Sequence, residues 1–594
     1  MLKSRVVQLR LGFVFRWVVV IVNAVACLLG WTLARASSRA AQVIEICPRP
    51  LEGSTVTEPS ELRSENGRLS VFLKIRNSPD ADGNMRYCYV DEQGHFAPTL
   101  RLRPGDVLSL TLKNELSLPA SSSRHAVNHA DRRSAQIGKP NPCDGGPMTA
   151  ESTNLHFHGL SVPPVCHQDE TLTTIIEPGD QPFEYRIRIP GAQPPGVYWY
   201  HPHVHGFSEE QILGGASGAL IVEGMGSAVP RVAGLPERVF VIRDQKISSP
   251  SVSDKPDPLR PTKQLSINYV PVPYPKYPPA VITMKPGERQ FWRVLNASAD
   301  TYLDLSVVFA GRRQNLGLVA LDGVPLRFGE PGSATYAPEV SHVFLPPAAR
   351  AEFIVTGPPE GVSAQLVTTY VDRGASDDDK PVGRRAGEPA ALRIGQDDVD
   401  PTRPLASIVA EPNVTSTAPV EHSAVKVEPP VLPLSAVRPT SKRKLFFSER
   451  LVDPNDPQSA TQFFITEDGH SPVLFDPSNK EPTIAVHQGD VEDWTIENRS
   501  RESHTFHIHQ LHFIVVREKG PRWEEPTLRD TIDVPAWSGL GPYPSVTVRL
   551  DFRDSGMVGT FPFHCHILQH LDGGMMGTVR VEAAQQEQVP SPQR

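Results

Sequence analysis

Eight of the 20 histidines in this chain occur as His-x-His pairs. Residues two apart on a β-strand project from the same face, so each pair offers two imidazoles to one side of a strand. Neutral imidazoles bind copper or zinc rather than calcium or magnesium. One such pair would be an ordinary solvated strand face, but four of them together predict a metal site. The pairs are His156/His158, His201/His203, His507/His509 and His564/His566.

A second ligand set lies around the stretch "FPFHCHILQHLDGGMM" at residues 561–576. If this stretch forms a strand, Cys565 points away from the histidines on either side of it and serves a different metal ion. Two histidines, one cysteine and a distant methionine are the ligands of a blue-copper centre, and His504, His570 and Met575 complete such a set. The sequence therefore predicts two copper sites back to back, joined by a short backbone path from the cysteine to its neighbours.

A repeated strand pattern indicates how these sites are positioned. The segments "LRPGDVLSLTLKN" (102–114), "MKPGERQFWRVLN" (284–296) and "VHQGDVEDWTIEN" (486–498) each place a glycine nine residues before an asparagine. A mostly alternating strand lies between them, and repeats this far apart indicate three related domains. The 60 prolines disfavour long helices and favour short strands joined by turns. We therefore expect an all-β chain of three consecutive β-sandwich domains.

The domain boundaries follow from the repeats and from composition. The His-x-His pairs fall in the first and third domains and none falls in the second, so the imidazole site is expected between the first and third. A polar segment at 117–150 is predicted to be a surface insertion in domain 1. The predicted segments are domain 1 at 43–230, domain 2 at 231–400, a Pro-rich linker at 401–441, domain 3 at 442–585 and a disordered tail at 586–594.

The two ligating domains differ at the second ligand set. The segment "GVYWYHPHVHG" at 196–206 matches "GTFPFHCHILQ" at 559–569, which puts Pro202 in the place of Cys565. Thr153 likewise stands where domain 3 has the first histidine of that set. Domain 1 therefore lacks two blue-copper ligands, and a single blue-copper centre, in domain 3, is predicted.

The N-terminus predicts export. Basic residues precede an apolar run from Trp17 to Leu33, and Ala34-Arg35-Ala36 then resembles a cleavage site. We predict a signal peptide over residues 1–36, with an uncleaved N-terminal membrane anchor as the alternative, and hence a periplasmic or secreted protein. The formal net charge of −8 gives no reason to expect a nucleic-acid partner.

An exported protein can form disulfides. Four cysteines, Cys47, Cys88, Cys143 and Cys166, precede residue 170, whereas Cys565 stands alone far downstream. Two bridges are therefore expected among the first four, and the sequence does not fix their pairing. We favour Cys47–Cys88 and Cys143–Cys166.

Four motifs carry a resemblance to a known family. They are "HFHG" (156–159), "HPHVHG" (201–206), "HTFHIH" (504–509) and "HCHILQHLDGGMM" (564–576). In type and order they closely resemble the multicopper oxidases, the laccase-like enzymes with three cupredoxin domains. The resemblance spans nearly all of the exported chain and is weakest in the predicted insertion and linker. It implies three cupredoxin-like Greek-key β-sandwich domains and four bound copper ions.

The resemblance also implies a role for each candidate ligand. The type 1 copper would be bound by His504, Cys565, His570 and, axially, Met575. The type 2 copper would be bound by His156 and His507. The type 3 pair would be bound by His158, His201, His203, His509, His564 and His566. Of the other histidines, His205 and His512 lie beside the motifs in sequence, and we expect them to support the ligands or to be structural. We expect His167 to lie on the surface.

The implied reaction is four one-electron oxidations of a donor coupled to reduction of O2 to two waters. Electrons would enter at the type 1 copper through the edge of His504, and Asp169 is the candidate acid for the protons that O2 reduction consumes. An axial Met575 suggests a low or middling potential and easily oxidised donors. Many bacterial relatives carry a glutamate directly after the last type 1 histidine. Here Leu571 takes that position and Asp572 follows, so a second proton relay stays open.

The leading hypothesis for the donor is a phenol or aromatic amine, as for a laccase. The alternative is a metallo-oxidase of Cu(I), Mn(II) or Fe(II). Oxidation of Cu(I) is disfavoured because only eight methionines are present and no methionine-rich insert is found. A periplasmic scaffold protein without chemistry is a third hypothesis, and the complete ligand set argues against it. Loops far apart in sequence form the surface above His504. Trp523 and Trp537 are candidates for it, and the alternative is that they pack in the core.

Overall fold

The protein is described by a computed structural model, which is almost entirely β. The described residues are 45–117, 141–247, 261–326, 338–374, 399–421, 434–456, 459–516 and 527–584. The predicted signal peptide, most of the predicted insertion, Trp523 and the predicted tail lie outside them. No helix in these described ranges has the length and apolar character needed to cross a membrane.

The first domain is a sandwich of two sheets. Its strands are β1 (Glu61–Arg63), β2 (Arg68–Pro79), β3 (Met85–Asp91), β4 (Thr99–Leu102), β5 (Val107–Glu115), β6 (His156–His158), β7 (Phe183–Arg188), β8 (Gly196–His201) and β9 (Gly218–Val222), with helices α1 (Ser208–Leu213) and α2 (Met225–Ala228). One sheet has the order β1-β4-β9-β8-β6 and the other β3-β2-β5-β7. Alternate residues of β5 are buried, as its period-2 pattern predicts, and they pack in the core between the sheets.

The second domain has the same layered plan. Its strands are β10 (Glu237–Lys246), β11 (Lys263–Ile267), β12 (Val270–Val272), β13 (Ala280–Met284), β14 (Arg289–Asn296), β15 (Leu303–Phe309), β16 (Arg312–Arg313), β17 (Leu316–Leu321), β18 (Val324–Pro325), β19 (Glu339–Val340), β20 (Val343–Leu345), β21 (Arg350–Thr356), β22 (Ala364–Thr368), β23 (Val371–Asp372), β24 (Val399–Asp400) and β25 (Arg403–Ala410). The sheets run β12-β11-β10-β14-β21-β17-β18 and β13-β25-β22-β15-β16 around one apolar core.

The third domain carries the second pair of His-x-His motifs. Its strands are β26 (Ser441–Leu451), β27 (Thr461–Glu467), β28 (Ile484–His487), β29 (Val491–Asn498), β30 (His504–Ile508), β31 (Phe513–Val515), β32 (Leu528–Arg529), β33 (Thr531–Val534), β34 (Ser545–Asp551), β35 (Gly559–Cys565) and β36 (Met576–Glu582), with helix α3 (Leu568–Asp572). The sheets run β27-β26-β29-β34-β31-β32 and β28-β36-β35-β30-β33. The expected all-β fold of three cupredoxin-like sandwiches is thereby confirmed.

The repeated glycine and asparagine have the same structural roles in all three domains. The glycine precedes the strand in a left-handed conformation that favours glycine, with φ of 90° at Gly105, 69° at Gly287 and 109° at Gly489. The asparagine lies at the end of the strand and is buried, and its Nδ2 donates to a backbone carbonyl distant in sequence. The distances are 2.7 Å from Asn114 to Ile176, 2.9 Å from Asn296 to Leu345 and 3.2 Å from Asn498 to Val534.

The predicted linker at 401–441 is wrong over its first part. Arg403–Ala410 forms β25, which pairs with β13 and β22 inside the second domain. Val420 is also buried, and its amide donates to Leu235 O at 2.9 Å. Composition was misleading here because a strand tolerates proline at a β-bulge, and the register of β25 against β22 shifts beside Pro404. The remaining domain boundaries stay predictions.

Both favoured disulfides are present in the structure. Cys47 pairs with Cys88 and Cys143 with Cys166. Cys565, the remaining cysteine of the described residues, is free and buried.

We expect replacement of both Cys143 and Cys166 by serine to destabilise domain 1 by about 3 kcal/mol, because the bridge closes a loop with a sequence separation of 23. Urea unfolding under non-reducing conditions measures this loss as a lower urea concentration at the midpoint of the transition in which domain 1 unfolds. The matched control replaces Cys47 and Cys88, whose separation is 41, and should show a similar or slightly larger loss. An unchanged midpoint in the first variant would contradict the expectation.

Candidate metal centre

Adjacent strands bring the His-x-His pairs together in both ligating domains. In domain 1, His156 on β6 faces His201 on β8 across the sheet. In domain 3, His507 on β30 faces His564 on β35. The second histidine of each pair lies two residues further along, on the same face. All eight side chains are buried, with exposed fractions between 0 and 2%.

The imidazoles of the two domains stack on each other. The rings of His156 and His509 lie 3.7 Å apart between centroids, at an interplanar angle of 17°. The rings of His158 and His507 lie 3.9 Å apart at 11°. The eight rings therefore form one cluster at the contact between domains 1 and 3, as predicted, and domain 2 supplies none of them.

The ring nitrogens of this cluster are arranged as metal ligands. Nε2 of His564 lies 3.3 Å from Nε2 of His203 and 3.2 Å from Nε2 of His509. Two nitrogens that bind one metal ion tetrahedrally at about 2 Å are about 3.3 Å apart. Other ring nitrogens of this cluster are buried and have no hydrogen-bond partner among the described residues, an arrangement that is unfavourable unless a ligand takes them up. These are Nε2 of His156, His201 and His507, Nδ1 of His158 and His509, and both nitrogens of His566.

Burial keeps these imidazoles in the neutral form that binds metals. Removal from water, reinforced by neighbouring imidazoles, lowers the pKa of most of the rings well below its ordinary value. The same burial lowers the pKa of His564 to about 3, against a hydrogen bond to the Cys565 carbonyl that opposes it. The rings with a strongly lowered pKa are His158, His201, His203, His507, His509 and His566.

A separate ligand set lies on the opposite face of β35. Cys565 Sγ is 3.7 Å from His504 Nδ1 and 3.6 Å from His570 Nδ1, and the two nitrogens are 3.1 Å apart. Burial would raise the pKa of the Cys565 thiol, but hydrogen bonds from the two imidazoles outweigh it and lower the pKa to about 6. Met575 is fully buried, and its carbonyl accepts from the Cys565 amide at 3.2 Å. This soft donor set fits copper.

The two ligand sets are one residue apart along the chain. Cys565 joins the thiolate set, whereas His564 and His566 join the imidazole cluster, which confirms the predicted alternation. A hydrogen bond shortens the path between the sets, because His564 Nδ1 donates to the Cys565 carbonyl at 2.9 Å.

The edge of His504, through which electrons are expected to enter, is covered in this structure. His504 is 0% exposed, and its Nε2 lies 2.7 Å from Ser500 Oγ and 3.1 Å from Glu449 Oε1. His570 is also buried, and its Nε2 lies 3.3 Å from Glu502 Oε1. A donor therefore cannot touch either imidazole directly, and electrons must cross the residues that cover them.

Asp169 lies beside the imidazole cluster, as predicted. Both of its carboxylate oxygens lie 3.0 Å from His156 Nδ1, and they also accept from the Phe157 amide at 2.8 Å and from Gln510 Nε2 at 2.6 Å. These bonds place the proton of His156 on Nδ1 and leave Nε2 for a metal. The structure thus makes Asp169 a positioning residue, and its role as a proton donor stays a prediction.

Asp572 has a structural role. Its carboxylate accepts from the amides of Gly206 at 3.1 Å and Glu209 at 2.8 Å, at the beginning of α1. Burial raises its pKa to about 7. Leu571 packs in an apolar cluster and has no group that could relay a proton.

Three histidines were expected outside the ligand sets. His167 is exposed, as predicted, and its Nδ1 donates to a backbone carbonyl. The ring of His205 packs against that of Phe475, with 5.0 Å between the ring centroids. His512 is buried beside the cluster, with Nε2 3.6 Å from the carboxylate of Asp530.

Sequence reasoning missed the residues that orient the ligands. They are ordinary polar types without a motif of their own, and they become recognisable only through their contacts. Gln510 is distinguished by its backbone conformation, since it has a φ of 61° directly after the ligand His509. The residues concerned are Arg350, Glu449, Ser500, Glu502, Gln510 and Asp530.

Comparisons with known proteins agree with this geometry. Models of the multicopper oxidase family match residues 148–226 and 451–585, which contain every candidate ligand. The multicopper oxidase mco of Staphylococcus haemolyticus is 24% identical over 530 residues, which is 88% of each chain. A laccase of Haloferax volcanii is 24% identical over 495 residues, covering 81% of this chain and 75% of its own.

The fold also matches a solved structure. A multicopper oxidase from Campylobacter jejuni, described as a metallo-oxidase, superposes with a TM-score of 0.58 and 23% identity. The superposition covers 91% of this chain and 98% of that one.

We expect Asp169→Asn to weaken copper binding at the imidazole cluster by about 10- to 100-fold. An amide cannot accept from Phe157, His156 and Gln510 together, so His156 loses its fixed orientation. Copper content after limited dialysis against a chelator, together with O2 uptake, measures the effect. The matched control is His205→Ala, which should keep native copper content. Native behaviour of Asp169→Asn would make this residue an ordinary loop carboxylate.

Proposed function

The chain belongs to the multicopper oxidase family, and we propose that it couples four one-electron oxidations of a donor to the reduction of O2 to two waters. The observation that carries this proposal is the pair of buried ligand sets on opposite faces of β35. When bound, copper would take up single electrons at the thiolate set and reduce O2 at the imidazole cluster. The rest of the mechanism is what the chain's own residues do around these positions.

We assign four copper ions to the two ligand sets. The type 1 copper would be held by His504, Cys565, His570 and Met575. The type 2 copper would be held by His156 and His507, whose Nε2 atoms have no partner among the described residues. The type 3 pair would be held by His158, His201, His203, His509, His564 and His566.

The protein contributes orientation and exclusion of water. Each ligand is at most 2% exposed, so the sites hold no bulk water that could take part in side reactions. Asp169 and the carbonyl of Asp530 accept the Nδ1 protons of His156 and His507, which directs the Nε2 atoms inward. Protons for water formation would arrive along the Asp169 side, where Gln510 completes the hydrogen-bond network.

For the donor, we favour a phenol or aromatic amine. An apolar loop lies outside His504, with Leu540 84% and Tyr543 41% exposed. The Trp537 ring lies 4.9 Å from that of Tyr543, and its amide donates to Ser500 O at 3.0 Å. Since Ser500 Oγ contacts His504 Nε2, an aromatic donor on this loop has a short path to the buried imidazole. An axial methionine also suits donors that are easily oxidised.

A metal-ion donor is the second candidate. Carboxylates of Glu449 and Glu502 lie 3.1 and 3.3 Å from the outer nitrogens of the two type 1 histidines. Carboxylate oxygens are ligands that bind metal cations. The similarity to a Campylobacter jejuni protein described as a metallo-oxidase points the same way.

We also propose that the protein works outside the cytoplasm, in the periplasm or as a secreted protein. Two disulfides in domain 1 support this location, because such bonds are rare in the reducing cytoplasm. The N-terminal segment that would direct export lies outside the described residues.

We expect Cys565→Ser to abolish the intense blue absorption and the oxidase activity while copper still loads at the imidazole cluster. The serine hydroxyl cannot supply the thiolate that this copper centre needs. Visible and EPR spectra of the copper-loaded protein, with O2 uptake, measure both. Survival of the blue band would overturn the type 1 assignment. A colourless wild-type protein after full loading would instead favour the scaffold hypothesis.

We expect Trp537→Ala to raise the KM for aromatic donors by about tenfold, the equivalent of about 1.4 kcal/mol of lost stacking, and to leave the KM for Cu(I) or Fe(II) unchanged. Steady-state O2 uptake with each donor measures this. The matched control is Leu51→Ala, since Leu51 is an apolar residue of domain 1 that is 82% exposed. Fast oxidation of metal ions with no response to phenols would select the metallo-oxidase.

A further inference from the structure

Domain 2 supplies no candidate ligand, yet one of its side chains reaches the imidazole cluster. Arg350, the first residue of β21, donates from Nη1 and Nη2 to the two carboxylate oxygens of Asp530 in domain 3, at 2.6 Å each. Both side chains are 0% exposed. Two short parallel bonds between a guanidinium and a carboxylate fix the relative orientation of the two groups as well as their distance.

Asp530 in turn contacts one ligand from each ligating domain. Its Oδ1 lies 3.2 Å from His158 Nε2, and its backbone carbonyl accepts from His507 Nδ1 at 2.8 Å. These bonds leave His158 Nδ1 and His507 Nε2 as the nitrogens without a partner among the described residues. A single residue thus decides which nitrogen each of two stacked imidazoles turns toward the cluster.

The position of Arg350 is itself fixed from several directions. Nη2 donates to Asp322 O at 3.0 Å, and Nε donates at 3.3 Å to the carbonyl of Val197 on β8, the strand that ends at a ligand histidine. Gly159, with φ of 85°, leaves room for the ion pair, because a Cβ there would lie 2.6 Å from both Arg350 Nη2 and Asp530 Oδ2. This contact explains the glycine in the motif "HFHG".

We propose that Arg350 is a positioning residue of the imidazole cluster, through which domain 2 fixes Asp530 and, with it, the ligand nitrogens of His158 and His507. The proposal rests on the assignment of these two histidines as ligands under the proposed function. It gives the domain without ligands a specific part in copper binding.

The test compares Arg350→Met with a matched variant of another buried arginine. Arg293 on β14 is also 0% exposed and also bonds two buried carboxylates, those of Glu237 and Glu352, but it contacts no histidine in the described structure. Both variants should lower the thermal midpoint of the metal-free protein. Only Arg350→Met should also lose copper from the imidazole cluster.

The readout is the number of copper ions bound per chain, compared with the intensity of the blue absorption. In Arg350→Met we expect the blue absorption of the Cys565 site to remain, while cluster copper binds about 10- to 100-fold more weakly in competition with a chelator. Arg350→Lys should be intermediate, since one ammonium group cannot bridge both oxygens. If Arg350→Met fails to fold because Asp530 is left unpaired, the double variant Arg350→Met, Asp530→Asn removes the buried charge and should show the same selective loss.

Two outcomes would overturn the proposal. One is a native cluster copper content and EPR spectrum in Arg350→Met or in the folded double variant. The other is an equal loss of cluster copper in Arg293→Met, which would make the effect general destabilisation. Failure of the proposed function looks different, because the wild-type protein itself would then hold no copper at the imidazole cluster.

Discussion

The alternation of side chains along β35 is the constraint on which both ligand sets depend. Successive residues of a strand face opposite sides, so Cys565 meets its two histidines on one face while its own neighbours meet the imidazole cluster on the other. A register slip of one residue would exchange the two faces. The register is held by pairing of Cys565 with Phe506 and of His564 with His507 on β30, and by Phe561 and Phe563, which pack in the domain 3 core.

Burial gives the imidazole cluster its chemistry and also makes it dependent on surrounding residues. Water is excluded, which keeps the rings neutral, but the orientation of each ring must then be set by protein groups. Asp169 and Gln510 do this for His156, and Asp530 does it for His158 and His507. The ligands come from domains 1 and 3, whereas their orientation depends on side chains drawn from all three domains.

The sequence predicted the features that depend on local spacing. Strand periodicity, the Gly–Asn repeat and His-x-His spacing identified the fold, and they also brought the ligands together correctly. Contacts between segments distant in sequence could not be predicted. Arg350 and Asp530 are 180 residues apart, and the residues that flank each of them give no indication of the other. The same limit explains why β25 was taken for linker and why the cover of His504 was not foreseen, since strand pairing and burial arise only in the folded chain.

The buried ion pair between Arg350 and Asp530 is better explained by geometry than by stability. Removing a guanidinium and a carboxylate from water is unfavourable, and a buried pair of this kind often contributes no more than apolar side chains of similar size would. An apolar pair, however, could not accept a hydrogen bond from His158 Nε2, and the ring would then be free to turn. Most rings of this site carry a nitrogen without a protein partner. If the rings could turn, different ring nitrogens would face the metal position in different molecules. The charge pair is therefore retained in the interior because it selects one arrangement before any metal binds.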